Sequence, residues 1–196
     1  MLHLASQSPR RRELLDQLGL RYSVLDVSVE EVRALGEPPE SYVSRVAREK
    51  AGAGLLSLGG DTHAVVLGAD TEVVLGDEVF GKPDNADEAA AMLRRLSGRT
   101  HQVISAVWAV SAGRESHRMQ LSEVRFAELA DATIESYCAG DEWRGKAGGY
   151  AIQGLAGSFV VKIVGSYTNV VGLPLFETVN LLQGEGFPIH FGWLNT

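Results

Sequence analysis

Short apolar runs alternate along the chain with stretches in which apolar residues recur at helical spacing. The runs predict strands at residues 2–5, 22–27, 64–69, 72–75, 103–110, 124–126 and 159–164. The helical spacing predicts helices near residues 8–18, 39–51, 85–96, 132–139 and 174–184. Strands interleaved with helices are typical of an α/β protein with a mixed central sheet flanked by helices.

The predicted helices carry clear start and stop signals. Ser8 is placed to cap the first helix, Pro9 suits its first turn, and Gly19 ends it. Pro38-Pro39 opens the second helix, and Asp84 or Asn85 caps the third. The run 103–110 is apolar apart from Ser105, which favours a strand covered on both faces.

Composition and charge narrow the class of protein. The chain has 196 residues, of which 45% are apolar and 22% charged, with a net charge of −7. This is enough apolar surface for a folded chain, and the length predicts one domain over residues 1–196, with two lobes around a cleft left open. The acidic balance argues against binding a nucleic-acid polymer, which needs an extended basic surface, although a few local cations suffice for a mononucleotide.

The cysteine and histidine residues indicate neither a disulfide nor a zinc site. The single cysteine, Cys138, cannot form an intramolecular disulfide, and we interpret it as a small buried side chain. The five histidines (His3, His63, His101, His117 and His190) contain no i,i+4 pair, which argues against zinc. Without a signal peptide or a run of ~18–20 apolar residues, we expect a soluble, cytoplasmic protein with no membrane partner.

The first candidate site is the turn Ala-Ser-Gln-Ser-Pro-Arg-Arg-Arg at residues 5–12, between a strand and a helix. The N–H groups of a helix N-terminus favour phosphate, and here Ser6 and Ser8 add hydroxyl donors while Arg10 and Arg11 add cations. The alternative is a capped helix with a solvated basic first turn. Arginine in a first turn opposes the helix dipole, however, so a purely structural role explains it poorly.

Two further polar groups follow apolar runs. Asp70 comes directly after the strand 64–69, so we expect it at the carboxyl end of that strand, where α/β proteins place their sites. A carboxylate there can hold Mg²⁺ or orient a water. Lys82 lies in a turn between Gly81 and Pro83. On pattern alone, Asp70-Thr71 is better explained as a polar turn after a strand, and Glu30-Glu31 and Glu49-Lys50 are more often solvated charges.

Glycine-rich segments at 146–154 and 165–174 form the third candidate region. Glycine lets the backbone approach a ligand closely, and Lys146, Tyr150 and Gln153 are scattered among the glycines. The amide of Gln153 offers both a donor and an acceptor, which suits the edge of a nucleobase. The alternative is a pair of loops that closes the domain.

Taken together, segments 6–15, 68–71, 81–83, 96–103, 146–154 and 165–175 resemble, in order and spacing, the Maf family of nucleoside triphosphate pyrophosphatases. The loop Tyr-Ala-Ile-Gln-Gly at 150–154, with Ser166-Tyr167, further resembles the branch acting on dTTP and UTP. The branch that hydrolyses 7-methyl-GTP lacks that form of the loop. The resemblance implies a Maf/ITPase-like α/β fold with a nucleotide cleft. Glu72 departs from the family pattern, which more often has an apolar residue there, and so questions how buried this strand is.

The resemblance also implies roles for individual residues. It implies Asp70 as the catalytic proton acceptor, and Arg10, Thr71 and Gln153 as base-specificity positions. Glu31, Lys50 and Lys82 match positions associated with metal and phosphate. Combined with the candidate turn, the expected phosphate-binding set is Ser6, Ser8, Arg11, Lys50 and Lys82, and the expected metal ligands are Glu31 and Asp70.

The function implied is hydrolysis of dTTP and UTP to the nucleoside monophosphate and pyrophosphate, with Mg²⁺ or Mn²⁺ as cofactor. Asp70 would act as the base, as a metal ligand, or as both. Alternatives are a pyrophosphatase for 7-methyl-GTP or other modified nucleotides, and a non-catalytic nucleotide-binding regulator of cell division. A homodimer is left open.

Overall fold

The computed structural model describes residues 1–187 and residue 189, and strands and helices alternate along them as predicted. The strands are β1 (Leu2–Ala5), β2 (Tyr22–Val24), β3 (Val65–Leu75), β4 (Glu78–Phe80), β5 (Thr100–Ser111), β6 (Arg114–Phe126) and β7 (Val160–Val164). The α-helices are α1 (Pro9–Asp16), α2 (Pro39–Ser57), α3 (Ala86–Leu96), α4 (Asp131–Cys138), α5 (Tyr167–Val171) and α6 (Leu175–Gly184). Short 3₁₀ helices lie at Ala147–Gly149 and Leu155–Phe159.

The strands form a mixed sheet in the order β2-β1-β3-β5-β6-β7, with β4 paired to β3. β1 runs parallel to β2 and to β3, whereas β3 with β4 and β6 with β7 are antiparallel. The predicted α/β class with a mixed sheet is therefore confirmed. None of the helices in the described residues has the length and apolar character needed to cross a membrane.

The chain packs into two compact units. Unit 1 contains residues 1–70 and 106–119 and the described residues from 172 onward, and unit 2 contains residues 71–105 and 120–171. The chain first passes from one unit to the other between Asp70 and Thr71, and β3, β5 and β6 contribute residues to both.

In unit 1, helix α2 lies directly against the parallel strands. Its buried face includes Val43, Val46, Ala47 and Ala51. Gly68 of β3 permits this approach, because a Cβ there would overlap the carbonyl oxygen of Ala47 and lie 2.6 Å from the amide nitrogen of Ala51. A close approach of helix backbone to strand backbone therefore fixes where the side chains of α2 stand over the sheet.

Unit 2 has a separate core built on α3 and a group of aromatic rings. Asn85 caps α3 by accepting a hydrogen bond from the amide of Glu88, as the sequence indicated. Phe126 makes edge-to-face contacts with His101, Tyr150 and Phe159. The predicted burial of Cys138 is confirmed, and this burial raises the pKa of its thiol.

Several predicted boundaries are wrong. The runs 64–69 and 72–75 belong to one continuous strand, β3, so Asp70 and Thr71 form neither a turn nor a strand end. Glu72 is 8% exposed, so the strand stays buried despite this charge. β2 ends at Val24 rather than at 27, and β4 and α5 were not predicted.

The largest error concerns β6, which begins at Arg114 rather than at 124. Residues 114–121 are mostly exposed and, apart from Met119 and Leu121, polar, so this half of the strand carries no apolar run. Of the five histidines, His190 lies outside the described residues.

Candidate active site

The centre of the candidate site in unit 1 is an ammonium group between two carboxylates. Lys50 Nζ donates to Asp70 Oδ1 at 2.8 Å and forms an ion pair with Glu31 Oε1 at 2.7 Å. The Lys50 side chain is 12% exposed and that of Asp70 is 7% exposed, whereas Glu31 is 35% exposed. Lys50 is thus not the solvated surface charge that the sequence pattern favours.

The fold brings these groups together through the packing of α2 on β3. Asp70 lies two residues beyond Gly68, and side chains two apart on a strand share a face. The helix lies against Gly68 through Ala47 and Ala51, so the neighbouring Lys50 reaches the carboxylate of Asp70. Because Gly68 has no side chain, α2 packs close enough to β3 for Lys50 to bond to Asp70.

Asp70 occupies the middle of its own strand but lies beyond the end of the neighbouring one. In the parallel pair, Ala5 of β1 is opposite Gly68 of β3. β1 ends there while β3 continues, so Asp70 stands at the level where the chain leaves β1 towards α1. The prediction that Asp70 lies at the carboxyl end of its own strand is thus wrong. Asp70 lies instead just beyond the carboxyl end of the neighbouring strand, β1.

One oxygen of the Asp70 carboxylate is engaged and the other is available. Oδ1 accepts from Lys50, and Oδ2 takes no part in that bond. An ionised carboxylate oxygen can accept a proton from water or coordinate a hard cation. The arrangement is therefore chemically suited to either role.

The turn before α1 supplies donors and cations in the same unit. Ser6 Oγ accepts from the amide of Ser8 at 3.2 Å, and Ser8, at the N-cap position, makes no side-chain capping bond. The first turn contains no acidic residue, and Arg10 is half-buried within it. This helix start therefore lacks the negative charge that normally stabilises a helix N-terminus.

Arg11 links this turn to the carboxylates. Its Nε donates to the carbonyl oxygen of Gly172 at 2.8 Å, which orients the side chain. Burial lowers the pKa of Arg11, and the negative charges of Asp70 and Glu31 oppose that shift. Arg11, Lys50, Asp70 and Glu31 thus form one electrostatic group, which we call the charge cluster.

In unit 2, Thr71 belongs to a buried chain of polar groups. Its Oγ1 lies 2.8 Å from Ser105 Oγ, and Ser105 donates to the backbone carbonyl of Asn169 at 3.0 Å. The side chain of Asn169 donates from Nδ2 to the carbonyl of Val103 and to Ser122 Oγ, both at 2.9 Å. Asn169 is fully buried, so its position is set by these contacts.

The glycine-rich loop 146–154 is anchored beneath the surface of unit 2. Tyr150 is buried and its hydroxyl lies 2.8 Å from His101 Nε2. Burial lowers the pKa of His101 to about 4, so the imidazole is neutral near pH 7. The amide of Gly148 donates to the carbonyl of Gly81 at 3.1 Å, which fastens the loop to the turn that carries the exposed Lys82.

The amide of Gln153 faces solvent from this anchored loop. Gln153 is exposed, and its side chain makes no hydrogen bond within the described residues. The structure thus brings Glu31, Lys50 and Asp70 into direct contact and leaves Gln153 accessible to a ligand. Sequence reasoning gave no role to Ser105, Ser122 or Asn169, whose buried polar side chains produce no pattern in the sequence.

The carboxylates of Glu31 and Asp70 are the groups of this site that could hold a divalent metal. The described residues hold no group of three or more histidine, cysteine, aspartate or glutamate side chains placed to bind a metal. Two carboxylates nevertheless converge on one cation at Lys50. Mg²⁺ is commonly held by one or two carboxylates together with substrate phosphates and water, so Glu31 and Asp70 fit a metal that arrives with a polyphosphate.

Two comparisons with known proteins agree on the family of this chain. A family model described as "Maf-like protein" matches residues 1–185. A dTTP/UTP pyrophosphatase of Rhodopseudomonas palustris (strain BisB5) is 53% identical over 199 residues, which cover 99% of this chain and 96% of that protein. A dTTP/UTP pyrophosphatase of Xanthomonas axonopodis pv. citri (strain 306) is 55% identical over 188 residues, or 95% and 99% of the two chains.

The fold comparison reaches a more distant protein. The structure of the Staphylococcus aureus Ham1 protein superposes with a TM-score of 0.50 at 17% identity, covering 94% of this chain and 98% of that one. At this identity the similarity concerns the fold alone.

Proposed function

The chain belongs to the Maf-like protein family, and on that premise we propose that it is a pyrophosphatase that hydrolyses dTTP and UTP to the monophosphate and pyrophosphate. The structural observation that carries the proposal is Lys50, held between Asp70 and Glu31. A protein that only bound a nucleotide would not need a buried carboxylate with one oxygen free for water.

Asp70 is the proposed catalytic base. Oδ2 accepts a proton from the water that attacks phosphorus, and the bond between the α and β phosphates breaks with release of pyrophosphate. Lys50 holds Oδ1 and so fixes the orientation of the carboxylate during this step. Positioning of this kind contributes to the rate because the reacting groups are already aligned.

We assign phosphate binding to Ser6, Ser8 and Arg11 at the start of α1, to Lys50 and, from the family resemblance, to Lys82. Arg11 and Lys50 carry two positive charges, which the negative charges of Asp70 and Glu31 cancel. The charge cluster alone therefore has no surplus positive charge for a triphosphate, and further cations are needed.

A divalent cation, Mg²⁺ or Mn²⁺, meets this need. Glu31 and Asp70 are the proposed ligands, and the ion when bound would neutralise charge on the phosphate oxygens and on the leaving pyrophosphate. Arg10 adds a cation from α1, where the family resemblance also assigns it to base specificity. We place the enzyme in the cytoplasm, where its nucleotide substrates are found.

Base recognition is assigned to Thr71 and Gln153, with Arg10. The exposed amide of Gln153 offers a donor beside an acceptor, which pairs with a carbonyl and the N3–H of uracil or thymine. Cytosine presents the reverse pattern at two of these positions. A site that hydrogen-bonds one base therefore discriminates against a base with the reversed pattern of donors and acceptors.

The test is pyrophosphate release from dTTP, UTP, CTP, ATP, GTP and 7-methyl-GTP, each with Mg²⁺, with Mn²⁺ and with chelator. The Asp70→Asn protein, purified in the same way, reports contaminating activity. We expect the highest kcat/KM for dTTP and UTP, and loss of activity with chelator. A preference for 7-methyl-GTP, or no release from any nucleotide, would refute the proposal.

A further inference from the structure

The ammonium group of Lys50 lies between the two carboxylates of the charge cluster. It is 2.7 Å from Glu31 Oε1 and 2.8 Å from Asp70 Oδ1, so one oxygen of each carboxylate contacts the same cation. The Lys50 and Asp70 side chains are both largely buried, so water and salt screen this interaction only weakly. Lys50 therefore occupies the position that a metal ion shared by both carboxylates would need.

The charges of the cluster are balanced before any ligand binds. Glu31 and Asp70 contribute two negative charges. Lys50 and Arg11 contribute two positive charges. Because the ammonium both neutralises the carboxylates and repels a second cation at short range, the free protein offers a divalent cation little net attraction. A polyphosphate reverses this balance, since it brings several negative charges and additional oxygen ligands.

We infer that Lys50 acts as an internal cation that keeps divalent metal from Glu31 and Asp70 until a polyphosphate is present, so that metal and nucleotide bind together. The inference rests on the proposed function, which assigns the metal to these two carboxylates. A bound polyphosphate supplies the negative charge that the cluster lacks, and the metal then binds despite the ammonium. Binding of metal and binding of nucleotide are thus coupled, and each strengthens the other by the same factor.

The first test measures binding of Mn²⁺ alone to the protein without nucleotide, from the electron paramagnetic resonance signal of unbound Mn²⁺. Lys50→Gln removes the charge and keeps a polar side chain. Its dissociation constant for Mn²⁺ should be lower than that of the wild type by about tenfold or more, because the carboxylates are no longer neutralised. Lys50→Arg keeps the charge and should bind Mn²⁺ as weakly as the wild type.

Arg48→Gln is the matched control. Arg48 lies on the same helix, its substitution changes the net charge equally, and its ion pair is with the exposed Glu115 rather than with the cluster. This variant should keep the Mn²⁺ affinity of the wild type. Adding Asp70→Asn to Lys50→Gln should abolish the gain, because one of the two carboxylates is then missing. Equal Mn²⁺ affinity in Lys50→Gln and the wild type, an equal gain in Arg48→Gln, or a gain that persists without the Asp70 carboxylate would overturn the inference.

A second measurement uses only the wild-type protein and so does not depend on whether Lys50→Gln folds. In equilibrium dialysis, the protein alone should retain little Mn²⁺, and the protein with α,β-imido-dUTP, which resists cleavage between these phosphates, should retain a stoichiometric amount. Equal retention of Mn²⁺ with and without the analogue would overturn the inference. Dialysis records binding and not turnover, so this outcome is distinct from failure of the proposed function, in which the wild type hydrolyses neither dTTP nor UTP.

Discussion

At the scale of single residues, Lys50 determines what Asp70 can do. A lone carboxylate at 7% exposure would carry a large desolvation cost, and the ammonium at 2.8 Å offsets it. Buried pairs of this kind are weak evidence for stability, because removing both charges often costs little. The proposed reaction therefore explains the buried Lys50–Asp70 pair better than a contribution to folding does.

Asp70→Asn keeps the size of the side chain and removes both the base and one negative charge. Loss of a general base costs ~10²–10⁴-fold in rate, so kcat for dTTP should fall by about that factor. Steady-state pyrophosphate release measures it, and thermal unfolding checks that the variant is folded. The exposed Asp77→Asn is the control and should keep full turnover. Near-normal turnover of Asp70→Asn would remove the residue from the mechanism.

Substitution of Gln153 distinguishes a role in base recognition from a role in the structure of the loop. Its side chain is exposed and makes no hydrogen bond within the described residues, so Gln153→Ala should not alter stability. We expect kcat/KM for UTP and dTTP to fall while that for CTP changes little, which reduces discrimination by about tenfold. The comparison covers dTTP, UTP, CTP and 7-methyl-GTP in both proteins. An unchanged ranking of the four would show that Gln153 plays no part in selecting the base.

At the scale of elements, the contact between α2 and β3 depends on a residue without a side chain. Gly68→Ala would place a Cβ against the carbonyl of Ala47, and α2 would have to move. Overpacking of this kind costs about 1–3 kcal/mol, and the movement would also carry Lys50 away from Asp70. We expect a lower free energy of unfolding in urea together with lower kcat.

Gly52→Ala on the same helix is the matched control for that change. A Cβ at Gly52 meets nothing within 4 Å, and alanine favours a helix by up to about 1 kcal/mol over glycine. This variant should therefore be as stable as the wild type or more so, with normal activity. Equal effects of the two substitutions would contradict the role given to the close contact.

His101, which contacts Tyr150 of the glycine-rich loop, should make the stability of the protein depend on pH. Burial lowers the pKa of His101 from 6.5 to about 4, so below pH 6.5 the unfolded chain binds a proton that the folded chain does not. Stability is thus fully present above about pH 6.5 and is lost as the pH falls towards 4. Between pH 7 and pH 5 this residue alone should remove about 2 kcal/mol.

Urea unfolding at pH 7 and pH 5 tests this, with His101→Gln as the comparison. The variant lacks the titrating group, so its stability should depend less on pH by about that amount, whatever its stability at pH 7. The same pH dependence in both proteins would mean that His101 is protonated while the protein remains folded.

The elements differ in how well the sequence predicts them, for physical reasons. β1 and α3 carry apolar patterns and end signals, and their predicted bounds agree with the structure to within a residue or so. The first half of β6 is a strand only because it pairs within the sheet, so its polar residues gave no signal. Asp70-Thr71 looked like a turn because two polar residues interrupt an apolar run inside β3.

The candidate site was predictable only in part. Its residue types pointed to phosphate chemistry, and the family resemblance selected Asp70, Lys50 and Glu31 among many charges. The contact of Lys50 with Asp70 depends on helix packing at Gly68, which the sequence does not reveal. The Ser105–Asn169 network is likewise hidden, because serine and asparagine are common in loops and strands without such a role.

At the scale of the whole molecule, the candidate groups divide between the two units. Asp70, Lys50, Glu31 and the α1 turn belong to unit 1, and Thr71, Lys82 and Gln153 belong to unit 2. Most residues proposed for the chemistry thus belong to unit 1, whereas Thr71 and Gln153, proposed for the base, belong to unit 2 together with the phosphate-binding Lys82. Because the net charge is −7, binding of an anionic substrate depends on local cations.

The central claim is cleavage between the α and β phosphates of dTTP and UTP, and the identity of the products tests it most directly. Phosphorus NMR of a dTTP reaction with Mg²⁺ resolves dTMP, dTDP, pyrophosphate and inorganic phosphate as they form. The account predicts dTMP and pyrophosphate in equal amounts from the first time point, with neither dTDP nor inorganic phosphate, and formation of both products slowed by ~10²–10⁴-fold in Asp70→Asn. Formation of dTDP with inorganic phosphate would contradict it.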